Sequence, residues 1–170
     1  MKTILHFAII LSIVLLATEI NAQNKVSFSE ITTNTKSITT TYFNDYINLD
    51  FDALKSQMDN DISFNDTTAK LIFGIELVEG KKQVFENFKN TYTSIVEMKA
   101  DIIRTIFSSH VGIFEIELTY KFKVGIEKVI TIKKMPLIVV LTVKDGKISE
   151  HKDYGDYNHF LEQYSNQTKK

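Results

Sequence analysis

VKDGKISEHKDYGDY, residues 143–157, carries a turn and a strand that together decide the fold class. The Asp145-Gly146 pair is a strong two-residue hairpin sequence, because both residues accept the positive φ that such a turn requires. In the strand that follows, alternate side chains point to opposite faces of the sheet. Ser149, His151 and Asp153 are therefore predicted to share one face, which looks either into a pocket or into water. The opposite face is predicted to carry Ile148, Glu150, Lys152 and Tyr154.

Three longer segments before this hairpin also have the composition of strands, since they are rich in Ile, Val, Phe and Thr. They span residues 95–107, 111–123 and 127–144. In the second of them, apolar residues from Phe114 to Phe122 alternate with polar ones, as in a half-buried strand. Pro136 lies inside the third segment and predicts a bulge or a sheet edge there.

The first half of the chain shows helical spacing instead. The pattern becomes helical at Ser37, and apolar side chains recur at three- and four-residue steps over 38–47. A second, shorter helix is predicted over 49–61, with Asp50 as its N-cap. A third helix is predicted over 81–95, after Gly80. A short strand, residues 62–68, separates the second helix from the third. Helices followed by antiparallel strands indicate an α+β domain, with a curved sheet wrapped around three N-terminal helices.

Composition excludes several classes of function. The 170 residues include no cysteine, so disulfides, thiolate metal sites and cysteine nucleophiles are excluded. A net charge of −1 gives no reason to expect a nucleic-acid partner. No phosphate-binding glycine motif and no histidine spacing typical of zinc sites occur, so we expect neither a cofactor nor a metal.

The N-terminus has the pattern of a secretory signal peptide. A charged residue precedes the apolar run Ile4–Ala17, which is shorter than the roughly 20 residues that span a membrane. We expect cleavage after Ala22 and a secreted or periplasmic protein without stable membrane insertion; the alternative is an uncleaved anchor. The predicted organisation is then a polar extension over 23–36, one domain over 37–165, and a tail over 166–170.

This order of elements resembles the SnoaL-like family of the nuclear transport factor 2-like superfamily. The resemblance is carried by YFNDYINLDFDALKSQMDNDISFND, by GKKQVFENF and by VKDGKISEHKDYGDY, in that order and spacing. It implies a cone in which a bent sheet and three helices enclose one central pocket. Because this fold has many functions, the site residues must be compared one at a time.

The resemblance places two residues where ketosteroid isomerases have catalytic groups. Tyr42 matches an oxyanion-hole tyrosine, and Asp66 matches a general-base aspartate. The isomerases' second donor, a protonated acid, falls at about Ile138, which argues against steroid-type isomerisation. The alternatives are that Tyr42 is a core residue and that Asp66 caps the turn in NDTT.

The resemblance also implies that the last strand turns its His151 and Asp153 face inward, where this pair would act in proton transfer. The alternative is a structural role in closing the cone. Arg104, the only arginine, would either pair with Asp66 or Asp153, as in limonene epoxide hydrolase-like enzymes, or pair on the outer face with Glu115 or Glu117. The residues predicted to line the pocket are Tyr42, Tyr46, Phe64, Phe88, Arg104, Ile138 and Val140.

Three functions compete at this point. The first is a module that binds a small hydrophobic molecule. The second is a cofactor-independent acid/base enzyme of cyclase, isomerase, dehydratase or epoxide hydrolase type, using Asp66, Asp153 and His151 with Tyr42. The third is an interaction module that forms a homodimer through the open face of its sheet, as relatives commonly do.

Overall fold

The computed structural model describes residues 26–74 and 76–169, and it places five helices and six strands in them. The helices are α1 (Phe28–Ile47), α2 (Phe51–Gln57), α3 (Thr67–Phe73), α4 (Lys81–Thr91) and α5 (Tyr157–Thr168). The strands are β1 (Met58–Asp66), β2 (Val78–Glu79), β3 (Ile95–Ser108), β4 (Val111–Val124), β5 (Lys128–Lys144) and β6 (Lys147–Gly155). A 3-10 turn over Tyr92–Ser94 joins α4 to β3.

The strands form one sheet in the order β2-β1-β6-β5-β4-β3, which does not close into a barrel. Neighbouring strands are antiparallel except β1 and β6, which run parallel. The apolar core lies between the inner face of this sheet and α1, α2 and α4. The predicted α+β class and the curved sheet around N-terminal helices are confirmed.

The predicted leader, residues 1–22, lies outside the described residues, so export stays a prediction. Among the helices of the described part, none is both long and apolar enough to cross a membrane.

Helix α1 begins nine residues before the predicted start at Ser37. Ser27 is its N-cap and accepts a hydrogen bond from the Glu30 backbone N–H at 3.1 Å. The segment looked like a polar extension because it is rich in threonine, yet the hydroxyls of Thr32 and Thr33 donate to backbone carbonyls one turn earlier, both at 2.9 Å, and Thr35 is buried. A threonine that satisfies its own hydroxyl inside the helix can be buried like an apolar residue. Residues 28–36 are therefore helical.

The second helix, α2, is shorter than predicted. Asp50 is its N-cap, as expected, and accepts from the Ala53 N–H at 3.0 Å. The helix ends at Gln57, however, and Met58 is a buried residue of β1. Parallel pairing of β1 with β6 overrides the local helical spacing.

Two bulges change which side chains the strands bury. Ser149 is the extra residue in β6, so Ile148 and His151 both face inward and the predicted alternation is wrong at Ile148. In β5 the irregularity includes Lys134, which has a φ of 53° and lies just before Pro136, so the predicted bulge is confirmed. The Asp145-Gly146 turn is also confirmed, with φ values of 50° and 75°.

Helix α5 is held against the end of β5 that β6 leaves unpaired. The Gln163 side chain exchanges hydrogen bonds with the backbone of Lys133 at 2.8 and 2.9 Å, and Gln167 does the same with Thr131 at 2.8 and 3.0 Å. The amides replace the missing strand partner, so the helix continues through Thr168 and includes residues 166–168 of the predicted tail.

Helix α1 approaches the sheet most closely where Thr39 packs on Gly112. A Cβ on Gly112 would lie 2.5 Å from the Thr39 Oγ1 atom and 2.9 Å from its Cβ atom. Only glycine fits there. The close approach fixes the distance between α1 and the sheet, and therefore the position of the next turn of α1.

We predict that Gly112→Ala lowers the free energy of unfolding by about 1–3 kcal/mol, the usual cost of overpacking. The double variant Gly112→Ala/Thr39→Ala should recover part of that loss, because alanine lacks the Oγ1 and Cγ2 atoms of Thr39 and keeps only the Cβ atom at 2.9 Å. Urea unfolding of the two single variants and the double variant measures this coupling. Costs that simply add would contradict the proposed contact.

Candidate functional site

A cavity of about 290 Å³ opens between the inner face of the sheet, α4, the 3-10 turn and α5. Its walls are mainly apolar and aromatic, and Thr91 at its rim is exposed. The lining residues are Tyr46, Phe64, Asp66, Asn87, Thr91, Tyr92, Ser94, Ile95, Met98, Leu118, Tyr120, Phe122, Met135, Leu137, Asp153, Tyr157 and Phe160. Two of them, Asp66 and Asp153, are carboxylates.

Asp153 projects from β6 with His151 beside it, as the shared face of this strand predicts. The His151 ring is fully buried, and its Nε2 atom lies 3.0 Å from the Asp153 Oδ1 atom. Its Nδ1 atom lies 3.3 Å from the hydroxyl oxygen of Tyr42, which is also fully buried. The Tyr42 proton has its acceptor only if Nδ1 is unprotonated, so we assign a neutral ring that donates from Nε2 to Asp153.

The second oxygen of Asp153 receives a hydrogen bond from the other side of the cone. The Tyr46 hydroxyl on α1 donates to Oδ2 at 3.1 Å. Since that proton is used, the Tyr92 hydroxyl must donate in the short hydrogen bond between Tyr92 and Tyr46. Asp153 is thus held by neutral donors, and the chain of hydroxyl groups ends at Tyr92 in the cavity wall.

Asp66 combines the two roles considered for it. Its Oδ1 atom accepts from the Ala69 N–H at 2.9 Å and so caps α3, a helix that the sequence did not predict. Its Oδ2 atom accepts from the Tyr157 hydroxyl of α5 in a short hydrogen bond. The Asp66 carboxylate also lines the cavity, as Asp153 does.

Burial governs the protonation of the site. It raises the pKa of the Tyr42 and Tyr46 hydroxyls well above the ordinary value, and the charge of Asp153 raises both further, so both remain donors. Burial also raises the pKa of Asp66, and the Asp153 charge adds to that rise, whereas the hydrogen bonds from Tyr157 and Ala69 act in the opposite direction. Desolvation of the charged form is the dominant cause.

Several predicted site residues lie behind or outside the cavity. Tyr46 and Phe64 line it, whereas Tyr42 and His151 lie behind Asp153 and do not. Phe88 is fully buried and packs on Phe64 with ring centroids 4.8 Å apart. It is a core residue, because α4 turns it toward the core.

The prediction that Arg104, Ile138 and Val140 line the pocket is wrong. The Arg104 Nε atom donates to Glu115 at 2.7 Å on the exposed face of the sheet, as in the alternative considered for this residue. Ile138 lies directly opposite Glu115 on β5 and is 40% exposed, and Val140 follows on the same outer face. Alternation along β5 puts Leu137 inside in their place. A homodimer through this outer face stays a prediction.

Most of the aromatic residues in the cavity wall were not predicted to line a pocket. Tyr120 and Phe122 belong to the inward series of β4, which the alternation identified without assigning it to a pocket. Tyr157 and Phe160 come from α5, whose docking depends on the glutamine contacts with β5. Within the described ranges, no three His, Asp or Glu side chains are grouped as ligands for a metal ion.

We predict that Asp66 makes stability depend on pH in a defined direction. Its folded pKa exceeds its ordinary unfolded value of about 3.9, so its contribution is complete below that value and is lost as the pH rises through the folded pKa. Because Asn does not ionise, Asp66→Asn should gain stability relative to the wild type as the pH rises through this window, and then level off. Chemical unfolding at a series of pH values measures the difference, with Asp145→Asn in the hairpin turn as the matched loss of a surface carboxylate. A difference that stays flat from about pH 3 to pH 7 would contradict it.

Solved structures with the same arrangement of helices and strands support the assignment of the fold. A protein from Shewanella putrefaciens described as a SnoaL-like polyketide cyclase is 18% identical, with a TM-score of 0.68, and the match covers 78% of this chain and 97% of that one. A protein from Shewanella denitrificans with the same description is 17% identical, with a TM-score of 0.69, and the match covers 78% and 98%. An LEH-like epoxide hydrolase from M. tuberculosis is 16% identical, with a TM-score of 0.60 and coverage of 79% and 92%. At these identities the similarity shows the fold and not an activity.

No curated protein matches the sequence significantly. The family model for the SnoaL-like domain matches residues 39–151, which is more than half of the 170-residue chain. The matched segment runs from the buried face of α1, across the sheet, to the histidine beside Asp153. With the cone geometry and the similar solved structures, this match shows that the chain belongs to the SnoaL-like domain family.

Proposed function

We propose that this SnoaL-like domain binds a small, largely apolar molecule in its cavity. The observation that carries the proposal is the cavity itself: a space of about 290 Å³ with apolar and aromatic walls and polar groups concentrated at Asp66 and Asp153. Binding sites for small molecules combine such walls with a few polar groups that fix orientation. The volume is near the lower end of the usual range, which favours a compact ligand.

The hydrogen bonds that the carboxylates accept from protein groups favour binding over catalysis. Both oxygens of Asp153 and both oxygens of Asp66 already accept hydrogen bonds from protein groups. These contacts fix the carboxylates as a rigid polar wall, and they occupy lone pairs that a general base would offer to a substrate. His151 is separated from the cavity by Asp153 and would act there only by positioning that carboxylate.

Acid/base catalysis is the second candidate function, and one observation favours it. Asp66 lines the cavity and burial raises its pKa, which brings a carboxylate closer to the range in which a general base is effective at neutral pH.

Methionine methyl groups offer a direct test of binding. Met98 and Met135 line the cavity, whereas Met58 is buried in the core away from it. In protein labelled with ¹³C at the methionine methyl groups, we expect neopentylbenzene, an uncharged apolar probe, to shift the Met98 and Met135 signals saturably and to leave Met58 unchanged. Met98→Trp should weaken binding about tenfold or more, read from Met135, because the larger ring fills the cavity.

Ile138→Trp is the control, since it adds the same ring on the outer face of the sheet. Shifts that never saturate, or an equal loss of affinity in both variants, would contradict binding in the cavity. Native mass spectrometry of gently purified protein complements this test, because a retained small molecule would identify the chemistry of the natural ligand.

For the catalytic candidate, we predict that the protein exchanges the α-hydrogens of a small apolar ketone with solvent deuterium. Proton NMR of 2-indanone in deuterated buffer measures the rate. The exchange should be lost in Asp66→Asn and retained in Ile138→Trp, because only the first removes the proposed base. A panel of apolar ketones that exchanges no faster with protein than without it argues for binding alone.

A further inference from the structure

We propose that the cavity selects a ligand that carries one positive charge, an organic ammonium group on a compact apolar body, over an uncharged molecule of the same shape. This inference rests on the proposed function, because it names the chemical class of the molecule that the cavity binds. It comes from the charges, the hydrogen-bond partners and the ring content of the wall.

The wall contains anionic groups and no basic side chain. Its acidic residues are Asp66 and Asp153, and none of its lining residues is Lys, Arg or His. The ion pairs of lysine and arginine found among residues 26–74 and 76–169 involve other carboxylates on exposed or half-exposed surfaces, such as Arg104 with Glu115. A ligand in the cavity therefore meets negative charge that no lysine or arginine within the described ranges pairs with.

The hydrogen bonds to these carboxylates come from neutral groups. Asp153 accepts from the neutral His151 ring and from the Tyr46 hydroxyl, and Asp66 accepts from the Ala69 backbone and the Tyr157 hydroxyl. Such donors stabilise a carboxylate, but they leave its net charge in place. A buried charge is most stable when an opposite charge accompanies it, so a ligand cation would supply what the protein does not.

Aromatic rings in the cavity wall also favour a cation. Seven of the lining residues are Tyr or Phe, and Tyr46, Tyr92 and Tyr157 belong to the hydrogen-bond networks of the two carboxylates. The face of an aromatic ring attracts a cation, most strongly where water is excluded. An alkylated ammonium suits this wall, because its methyl groups pack on apolar atoms while its charge remains close to the carboxylates.

Two probes of nearly identical shape isolate the charge. Benzyltrimethylammonium and neopentylbenzene differ in having a quaternary nitrogen or a quaternary carbon. Titration of each into the wild-type protein, read from the Met98 and Met135 methyl signals, gives both affinities. A merely apolar cavity favours neopentylbenzene, because removing an ammonium from water is costly. We expect the opposite order, with the ammonium bound about tenfold or more tightly.

Asp153→Asn should lower the affinity for benzyltrimethylammonium by more than it lowers the affinity for neopentylbenzene, so that most of the preference is lost. Asp66→Asn provides an independent second variant, and Asp145→Asn, in the exposed hairpin turn, is the matched control that should keep the full preference. The wild-type ratio of affinities needs no variant, so the test remains decisive if a buried substitution prevents folding.

The outcomes separate the two proposals. Tighter binding of neopentylbenzene, or equal binding of both probes, overturns the cation preference while the binding function stands. Failure of both probes to shift Met98 and Met135 overturns the binding function itself. A preference for the ammonium that survives both Asp66→Asn and Asp153→Asn overturns the assignment of these carboxylates as its cause.

Discussion

Holding a carboxylate inside an apolar cone is the constraint on which this structure depends. Asp153 is 3% exposed, and leaving its oxygens without donors would cost more than the roughly 1–3 kcal/mol of an unsatisfied neutral group. The donors come from separate parts of the chain: Tyr46 from α1 and His151 from β6, with Tyr42 and Tyr92 supporting them. The requirement to satisfy one side chain thus fixes the relative position of the first helix, the last strand and the turn before β3.

Local irregularities make this arrangement possible. Without the extra residue Ser149, β6 could not bury both Ile148 and His151, because a regular strand alternates its faces. Without Gly112, α1 would stand farther from the sheet, and its tyrosines would not reach β6. At the other end of the cone, the bulge beside Lys134 interrupts regular pairing, and the nearby unpaired edge of β5 receives the glutamines of α5. Each irregularity places one part of the cavity wall.

Features that depend on neighbouring residues could be predicted from the sequence, whereas features that depend on contacts between distant segments could not. Alternation in β4, the Asp145-Gly146 turn and the Asp50 cap are local features, and the structure contains all three. Tyr46, Asp66 and Asp153 could be selected from the resemblance, and they converge on one cavity. The start of α1 was missed because buried threonines resemble a polar loop in sequence.

Other errors come from contacts between distant segments. Met58 leaves the helical pattern because β1 pairs with β6, about ninety positions later in the chain. Ile138 was assigned to the pocket from the resemblance, yet the strand faces the other way at that position. Tyr157 and Phe160 reach the cavity only because α5 docks on an unpaired strand edge, a condition that no local pattern expresses.

The same hydrogen bonds bear on the choice between a binding protein and an enzyme. A general base needs a free lone pair and a route for the proton, whereas an electrostatic contact needs only a fixed charge. Asp153 has a donor on each oxygen, and its neighbour His151 already uses its Nε2 proton to hold it. That geometry describes a fixed negative charge more closely than a proton acceptor. Asp66 also has a donor on each oxygen, but burial raises its pKa and so favours the protonated form that takes part in proton exchange. The hydrogen bonds therefore suit both carboxylates to attract a ligand, and burial adds to Asp66 the capacity to exchange a proton with it.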